Sequence, residues 1–149
     1  MTDLNNVDVL LVEDDPNDVE LILRALGRHN LADKVFVAID GEEALDFVFA
    51  RGKYSSRSKN IMPKVIFLDI KLPKVNGLEV LKALKSDPVA KLIPVVAVSS
   101  SREENDVVRS YELGVNSYIV KPVDFKEFID SLDEAGFYWL LLNQPPNKK

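Results

Sequence analysis

Five short apolar runs, rich in β-branched residues, are spaced along the chain with almost no polar interruption. Strands buried on both faces have this character, because neither face of such a strand meets water. The runs predict five strands, at Val7–Val12, Val35–Ile39, Val65–Leu68, Val95–Val98 and Ser117–Val120.

Between and after these runs, apolar residues recur three and four positions apart, which places their side chains on one face of an α-helix. This spacing predicts five helices. The fourth helix is predicted from three apolar residues alone, Val107, Val108 and Tyr111. The others are marked by the apolar sets that begin at Val19, Leu45, Leu78 and Phe125.

Turn and cap residues agree with this division of the chain. Asp15-Pro16 is typical of a helix start, Asp40-Gly41 and Asn76-Gly77 of turns, and Gly114 of a helix end. Strands that alternate with helices indicate an α/β fold, a parallel sheet with helices on both faces. Sites in such sheets lie at the carboxyl ends of the strands.

Composition limits the classes of function. The 149 residues suit a single domain, 1–149, and 46% of them are hydrophobic. The net charge of −5 argues against nonspecific binding to nucleic acid. The absence of cysteine excludes disulfides, thiolate zinc sites and cysteine nucleophiles. Neither a signal peptide nor a membrane span is predicted, so we expect a cytoplasmic protein. Two segments extend the minimal fold, a polar inserted loop at 51–63 and a C-terminal extension at 137–149.

Acidic residues follow two of the predicted strands. Glu13, Asp14 and Asp15 come directly after the first strand, and Asp69 follows the third. If these strands are neighbours, Glu13, Asp14 and Asp69 converge at one edge and repel one another unless a cation intervenes. Mg²⁺ suits such oxygen ligands. Asp15, before Pro16, is better explained as a helix cap.

Two further polar residues end strands at the same edge. Lys121 follows the fifth strand and can pair with Asp69 or a phosphoryl oxygen, and the Ser99 hydroxyl at the end of the fourth can donate a hydrogen bond. Taken alone, each is an ordinary surface or strand-end residue. Their shared position favours a site.

Five motifs in this order resemble the response-regulator receiver family: Leu10–Asp14, Leu68–Pro73, Asn76-Gly77, Pro94–Ser99 and Tyr118–Pro122. The resemblance implies a flavodoxin-like fold with strand order 2-1-3-4-5 and five helices. The inserted loop and the aromatic C-terminal segment are similar to those of stand-alone regulators paired with cyanobacterial and bacterial phytochromes.

The resemblance also implies a metal site. Asp14 becomes a direct ligand of Mg²⁺, for which Mn²⁺ or Ca²⁺ can substitute. Glu13 holds metal-bound water, Asp69 is the phosphoacceptor, and Lys71 offers its backbone carbonyl. Glu13 stands where many members of the family have Asp.

The remaining implied roles concern the phosphoryl group and the switch. Lys121 contacts the phosphoryl group, and its bond to Pro122 is expected to be cis. Ser99 and Tyr118 take the places of the switch residues. On this basis the chain accepts a phosphoryl group from a sensor histidine kinase, one similar to a phytochrome, and changes its protein contacts. It acts as a signalling protein with self-catalysed transfer and dephosphorylation, without a DNA-binding output domain.

Six consecutive apolar residues, Phe137–Leu142, exceed what one amphipathic helix can bury. This predicts a homodimer or kinase-docking surface that includes Phe137, Tyr138, Trp139 and Leu140. The alternative is a tail folded over its own domain.

Three other functions stay open at this point. An aspartyl-phosphate hydrolase would use the same nucleophile, but it usually has an acid where Lys71 stands. An FMN-binding module would share the fold, but Glu13–Asp15 would repel the phosphate. A receiver that serves only as a scaffold is disfavoured by the intact acids, Ser99 and Lys121.

Overall fold

The computed structural model describes residues 4–27, 34–58, 61–100 and 103–121, together with residue 130. In these residues the chain alternates strictly between strand and helix. The elements are β1 Val9–Val12, α1 Pro16–Gly27, β2 Val35–Ala38, α2 Gly41–Val48, β3 Val65–Leu68, α3 Gly77–Ser86, β4 Val95–Ser99, α4 Glu104–Glu112 and β5 Ser117–Val120.

The described residues thus contain five strands and four α-helices, one helix fewer than predicted. The predicted fifth helix lies outside the described residues, except for Asp130, which is helical. Pro122 and the C-terminal extension 137–149 also lie outside them. Among the described helices, none combines the length and the apolar character that crossing a membrane requires.

All five strands are parallel, in the order β2-β1-β3-β4-β5, which confirms the predicted sheet. The register aligns the carboxyl ends, because Val12 lies opposite both Ala38 of β2 and Leu68 of β3. Three predicted strand ends are displaced. β1 begins at Val9 rather than Val7, and β2 ends before Ile39, whose side chain is exposed. β4 extends to Ser99, one residue beyond its predicted end.

The sheet separates two hydrophobic layers. Alternate strand residues such as Leu10 and Leu68 face α2 and α3, whereas Leu11 and Phe67 face Ile22 and Leu26 of α1. In β1, β3 and β4 the side chains on both faces are buried, so these three central strands have little need for polar positions. This explains why they form continuous apolar runs in the sequence.

Three helices begin at side-chain caps. Asp15 Oδ1 accepts a hydrogen bond from the Asn17 amide at 2.9 Å, as the Asp15-Pro16 pair predicted. Asp40 Oδ1 accepts from the Glu43 amide at 2.7 Å, and Asn76 Oδ1 from the Leu78 amide at 2.8 Å. The two dipeptides predicted as turns are therefore the caps and first residues of α2 and α3.

The fourth helix is present, but the apolar residues that predicted it do not form its buried face. Its buried residues are Asp106 and Ser110, while Val108 and Tyr111 are about half exposed. Gly114 ends the helix as predicted. Its φ of +101° is the left-handed conformation that favours glycine at this position.

The described parts of the inserted segment, 51–58 and 61–63, make more contacts than a polar loop was expected to make, and Gly52–Tyr54 forms a 3₁₀ helix. Arg57 is buried and donates hydrogen bonds to the carbonyls of Leu4 and Ile61, at 2.9 and 3.1 Å, and to that of Phe47. Its guanidinium lies 3.9 Å from the centre of the Phe47 ring. These contacts attach the segment to the amino-terminal edge of the sheet, beside an apolar cavity of about 250 Å³.

Candidate functional site

Acidic residues from β1 and β3 meet at the carboxyl edge of the sheet. The backbone ladder continues past both strands, with the Glu13 amide donating to the Ala38 carbonyl and the Asp69 amide to that of Val12, each at 3.0 Å. One carboxylate oxygen from each of Glu13, Asp14 and Asp69 lies within 4.8 Å of the others. The structure therefore brings these three predicted residues together.

Burial differs sharply among the three acids. Glu13 is 1% exposed, and its Oε2 accepts from the amides of Asp14 and Asp15 at 3.1 and 3.3 Å. Asp69 is 7% exposed, and its Oδ1 accepts from the Lys71 amide at 3.0 Å. Asp14 is exposed. The cluster thus has a buried floor and one side open to solvent.

Lys121 supplies the positive charge in this cluster. Its Nζ lies 2.6 Å from Glu13 Oε1, 2.7 Å from Asp18 Oδ2 and 3.1 Å from Asp69 Oδ2. The Lys121 amide donates to the Ser99 carbonyl at 2.8 Å, which holds the end of β5 beside the end of β4. One ammonium therefore joins the ends of β1 and β3 to the first turn of α1.

Asp18 is a site residue that the sequence analysis did not identify. It lies in the first turn of α1, where acidic residues are common because they interact favourably with the helix dipole. Because this explanation is sufficient, the sequence gives no reason to expect a contact with Lys121, which is 103 positions away. The one indication in the sequence was that Asp18 is the third residue of a helix that begins just after Glu13 and Asp14.

Burial and the neighbouring charged groups shift two pKa values in this cluster. Burial raises the pKa of Glu13 to about 8, a rise that the charge of Asp69 supports and the hydrogen bond from Lys121 opposes. Burial alone would lower the pKa of Lys121. Hydrogen bonds to Asp18 and Glu13 and the charge of Asp69 outweigh burial, so the pKa of Lys121 lies above its ordinary value.

The donor set suits a hard divalent cation. Carboxylate oxygens are the ligands that Mg²⁺, Mn²⁺ and Ca²⁺ prefer, and three of them converge here. A bound ion would share Glu13 and Asp69 with the Lys121 ammonium. The predicted ligand role of the Lys71 carbonyl stays a prediction.

The two predicted switch residues lie on the neighbouring strands. Ser99 is fully buried at the end of β4, opposite Val120 in the register of β5. Tyr118 lies opposite Ala97, is half-buried, and packs against the hydrophobic layer that contains α2 and α3. Ser99 therefore lies at the carboxyl edge of the sheet, where the acidic cluster also lies, and Tyr118 lies deeper in the sheet, on β5.

Gly77, the first residue of α3, lies directly against the loop that carries Asp69. A Cβ at this position would lie 2.4 Å from the Asp69 carbonyl oxygen and 2.5 Å from the Ile70 Cα. The Gly77 amide donates to the Ile70 carbonyl at 3.1 Å. Only glycine permits this close approach, which supports the backbone immediately after Asp69.

Comparison with known proteins adds an independent observation. The family described as "Response regulator receiver domain" matches residues 9–133. The response regulator Rcp1 of Synechocystis sp. is 36% identical over 132 residues, which cover 89% of this chain and 88% of Rcp1. A solved Mn²⁺-bound form of Rcp1 has a TM-score of 0.86 to this chain at 35% identity, covering 93% of this chain and 97% of that one.

Two other solved structures are similar to nearly the whole chain. The phosphorylated cyanobacterial phytochrome response regulator RcpA has a TM-score of 0.86 at 38% identity, and the match covers 93% of this chain and 96% of RcpA. The bacteriophytochrome response regulator RtBRR is 52% identical with a TM-score of 0.73, covering 93% of this chain and 82% of RtBRR.

Proposed function

Since the chain belongs to the response regulator receiver family, we propose that Asp69 accepts a phosphoryl group from a sensor histidine kinase in a Mg²⁺-dependent reaction. The observation that carries the proposal is the position of Lys121. Its ammonium lies 3.1 Å from Asp69 Oδ2, at the carboxylate cluster formed by Glu13, Asp14 and Asp69.

Asp69 is the nucleophile of the proposed reaction. Its carboxylate forms a bond to phosphorus while the bond between phosphorus and the imidazole nitrogen of the donor breaks, and the nitrogen keeps the electron pair. The Lys121 ammonium offsets the negative charge of the phosphoryl oxygens. When bound at Asp14 and Glu13, Mg²⁺ supplies further positive charge against those oxygens. Water later hydrolyses the acyl phosphate and restores the Asp69 carboxylate.

We propose that phosphorylation of Asp69 affects the rest of the protein in two ways. Ser99 and Tyr118 respond to the phosphoryl group, as the family resemblance implies. In addition, the Lys71 side chain binds Asp106 of α4 at 3.2 Å, while its amide donates to Asp69. A change at Asp69 thereby biases the position of α4, whose exposed Val108 and Tyr111 form part of the output surface.

The partner is proposed to be a phytochrome-like histidine kinase in the cytoplasm, because RcpA and RtBRR are phytochrome response regulators. A homodimer through Phe137, Tyr138, Trp139 and Leu140 is part of the same proposal, and these residues lie outside the described ranges.

Labelling with phosphoramidate tests the acceptor assignment without a kinase. We expect one phosphoryl group per chain, stable to gel filtration, mapped to Asp69 by mass spectrometry and absent in Asp69→Asn. Asp15→Asn is the matched control, since it removes an exposed acid at the same edge and retains the helix cap. EDTA should prevent labelling of the parent and the control alike. Undiminished labelling of Asp69→Asn, or labelling of the parent in EDTA, would refute the proposal.

A further inference from the structure

We infer that Asp18 is a positioning residue that keeps the Lys121 ammonium at the site while Asp69 reacts. The inference rests on the proposed role of Asp69 as phosphoacceptor. It adds to that role a residue from α1 that acts through its contact with Lys121.

The Lys121 ammonium has enough protons for each of its three carboxylate contacts. An ammonium has three protons, and its three carboxylate contacts can use one each. The contact with Asp69, at 3.1 Å, is the longest of the three. When a phosphoryl group occupies Asp69, this is the proton that can turn to a phosphoryl oxygen at the least cost. The other two contacts must then hold the ammonium in place.

A bound cation would affect the contacts of Glu13 and Asp18 with Lys121 differently. Glu13 and Asp69 belong to the group of three carboxylates whose oxygens converge within 4.8 Å, and Asp18 does not. A cation bound in that group draws on the oxygens of Glu13 and Asp69, which weakens their hold on Lys121. Asp18 is not one of the three carboxylates that would bind the cation, so its 2.7 Å contact with Lys121 persists when the cation is present.

Asp18 lies in a helical turn whose start is fixed by a cap. Asp15 caps α1 through the Asn17 amide, and Pro16 is its first residue, so the first turn has a defined start. Asp18 projects from this turn, and its side chain is 24% exposed against 12% for Lys121. A largely buried charge-assisted bond from a capped helix restricts where the ammonium can lie.

The first test measures phosphorylation rates with phosphoramidate for the parent, Asp18→Asn and Asp18→Glu. Asn keeps an acceptor oxygen but loses the charge, so we expect the rate constant at saturating donor to fall about tenfold. The donor concentration for half-saturation should not rise, because the substitution removes a negative charge that would repel the anionic donor. Asp18→Glu should recover most of the rate constant.

Glu20→Gln is the matched control. Glu20 lies on α1 two residues from Asp18, carries the same charge and, within the described part of the chain, forms an exposed ion pair with Arg24. Its removal should leave both kinetic quantities unchanged. An equal fall in Glu20→Gln and Asp18→Asn would show a general charge effect and would overturn the inference.

The second test is independent of metal and of phosphorylation. In metal-free protein, the ¹⁵N-labelled Lys121 ammonium should give a resonance protected from exchange with water, in the parent and in Glu20→Gln. In Asp18→Asn this resonance should broaden or disappear, and Asp18→Glu should restore it. An unchanged resonance in Asp18→Asn would overturn the inference. Failure of the parent to label would instead refute the acceptor role of Asp69, so the two failures are distinguishable.

Discussion

The ammonium of Lys71 lies 3.2 Å from an Asp106 carboxylate oxygen and so connects the loop after β3 to the first turn of α4. Asp106 is buried, with its side chain 11% exposed, whereas that of Lys71 is 56% exposed. The hydrogen bond and the charge of Asp106 raise the pKa of Lys71. One residue thus contacts Asp69 through its amide and α4 through its side chain.

A double-mutant cycle should detect this ion pair. We expect Lys71→Met and Asp106→Asn to be coupled by about 1 kcal/mol in the free energy of unfolding, because the pair is only partly exposed to solvent. Urea unfolding of the parent, the two single variants and the double variant measures the coupling. Strict additivity of the two substitutions would contradict the contact.

Arg57 should contribute far more to stability than its place in a polar segment indicates. Replacing it by Met leaves the carbonyls of Leu4, Phe47 and Ile61 without this donor. We expect the free energy of unfolding to fall by about 2 to 4 kcal/mol.

Arg51→Met is the control for this prediction, because Arg51 is exposed and pairs with Asp46 at the surface. Its effect should stay within about 0.5 kcal/mol. Comparable losses in the two variants, measured by urea unfolding, would contradict a special role for Arg57.

Gly77→Ala should disturb both stability and the acceptor site. The added Cβ would overlap the backbone of Asp69 and Ile70, which cannot move aside without displacing the loop. We expect a loss of at least about 2 kcal/mol in the free energy of unfolding, together with slower phosphoramidate labelling of the folded protein.

Gly114→Ala provides the comparison, since that glycine has a positive φ but the atoms nearest to its added Cβ belong to the Lys85 side chain, at 3.2 Å or more, rather than to backbone. Its substitution should cost about 1 kcal/mol and leave labelling of the folded protein unchanged. Labelling at the parental rate in Gly77→Ala would show that the close approach does not support the site.

The pKa of Glu13 predicts a dependence of stability on pH. Its value rises from 4.5 to about 8 on folding, so between these values the folded protein binds a proton that the unfolded chain has lost. Stability therefore falls as the pH rises through this window. Glu13→Gln cannot lose a proton, so its free energy of unfolding relative to the parent should increase with pH.

Urea unfolding in EDTA at pH 5.5 and pH 8.5 measures this difference. We expect the variant to gain on the order of 1 to 3 kcal/mol relative to the parent between the two values. A difference that is constant with pH, or one that shrinks as the pH rises, would contradict the raised pKa.

The architecture and the convergence of the acids were predictable from sequence for the same reason. A strand buried on both faces produces a continuous apolar run, so β3 was located to the residue. β5 is only half-buried, but its short run of β-strand-forming residues was also located to the residue. Once the strands are parallel neighbours, the residues that follow them share an edge. Glu13, Asp14 and Asp69 then meet whatever the details of the loops.

Contacts that join distant segments were not predictable in this way. From sequence alone, Asp18 is explained as an acid in a first helical turn, and Arg57 is explained as a surface cation in a polar segment. Only the fold shows that one meets Lys121 and the other the Leu4 carbonyl. The buried face of α4 was missed because Asp106 and Ser110 are polar, and a hydrophobic pattern cannot identify them.

The lysine that balances the site arrives late in the chain. Lys121 comes from β5, at the margin of the sheet, and its carboxylate partners lie 52 to 108 residues earlier. During synthesis, Glu13, Asp18 and Asp69 all leave the ribosome before their common counterion exists. A nascent or truncated chain that ends before β5 therefore lacks the ammonium that offsets these three acids, and the charges at this edge are balanced only after the residue that follows β5 has been made and has packed against them.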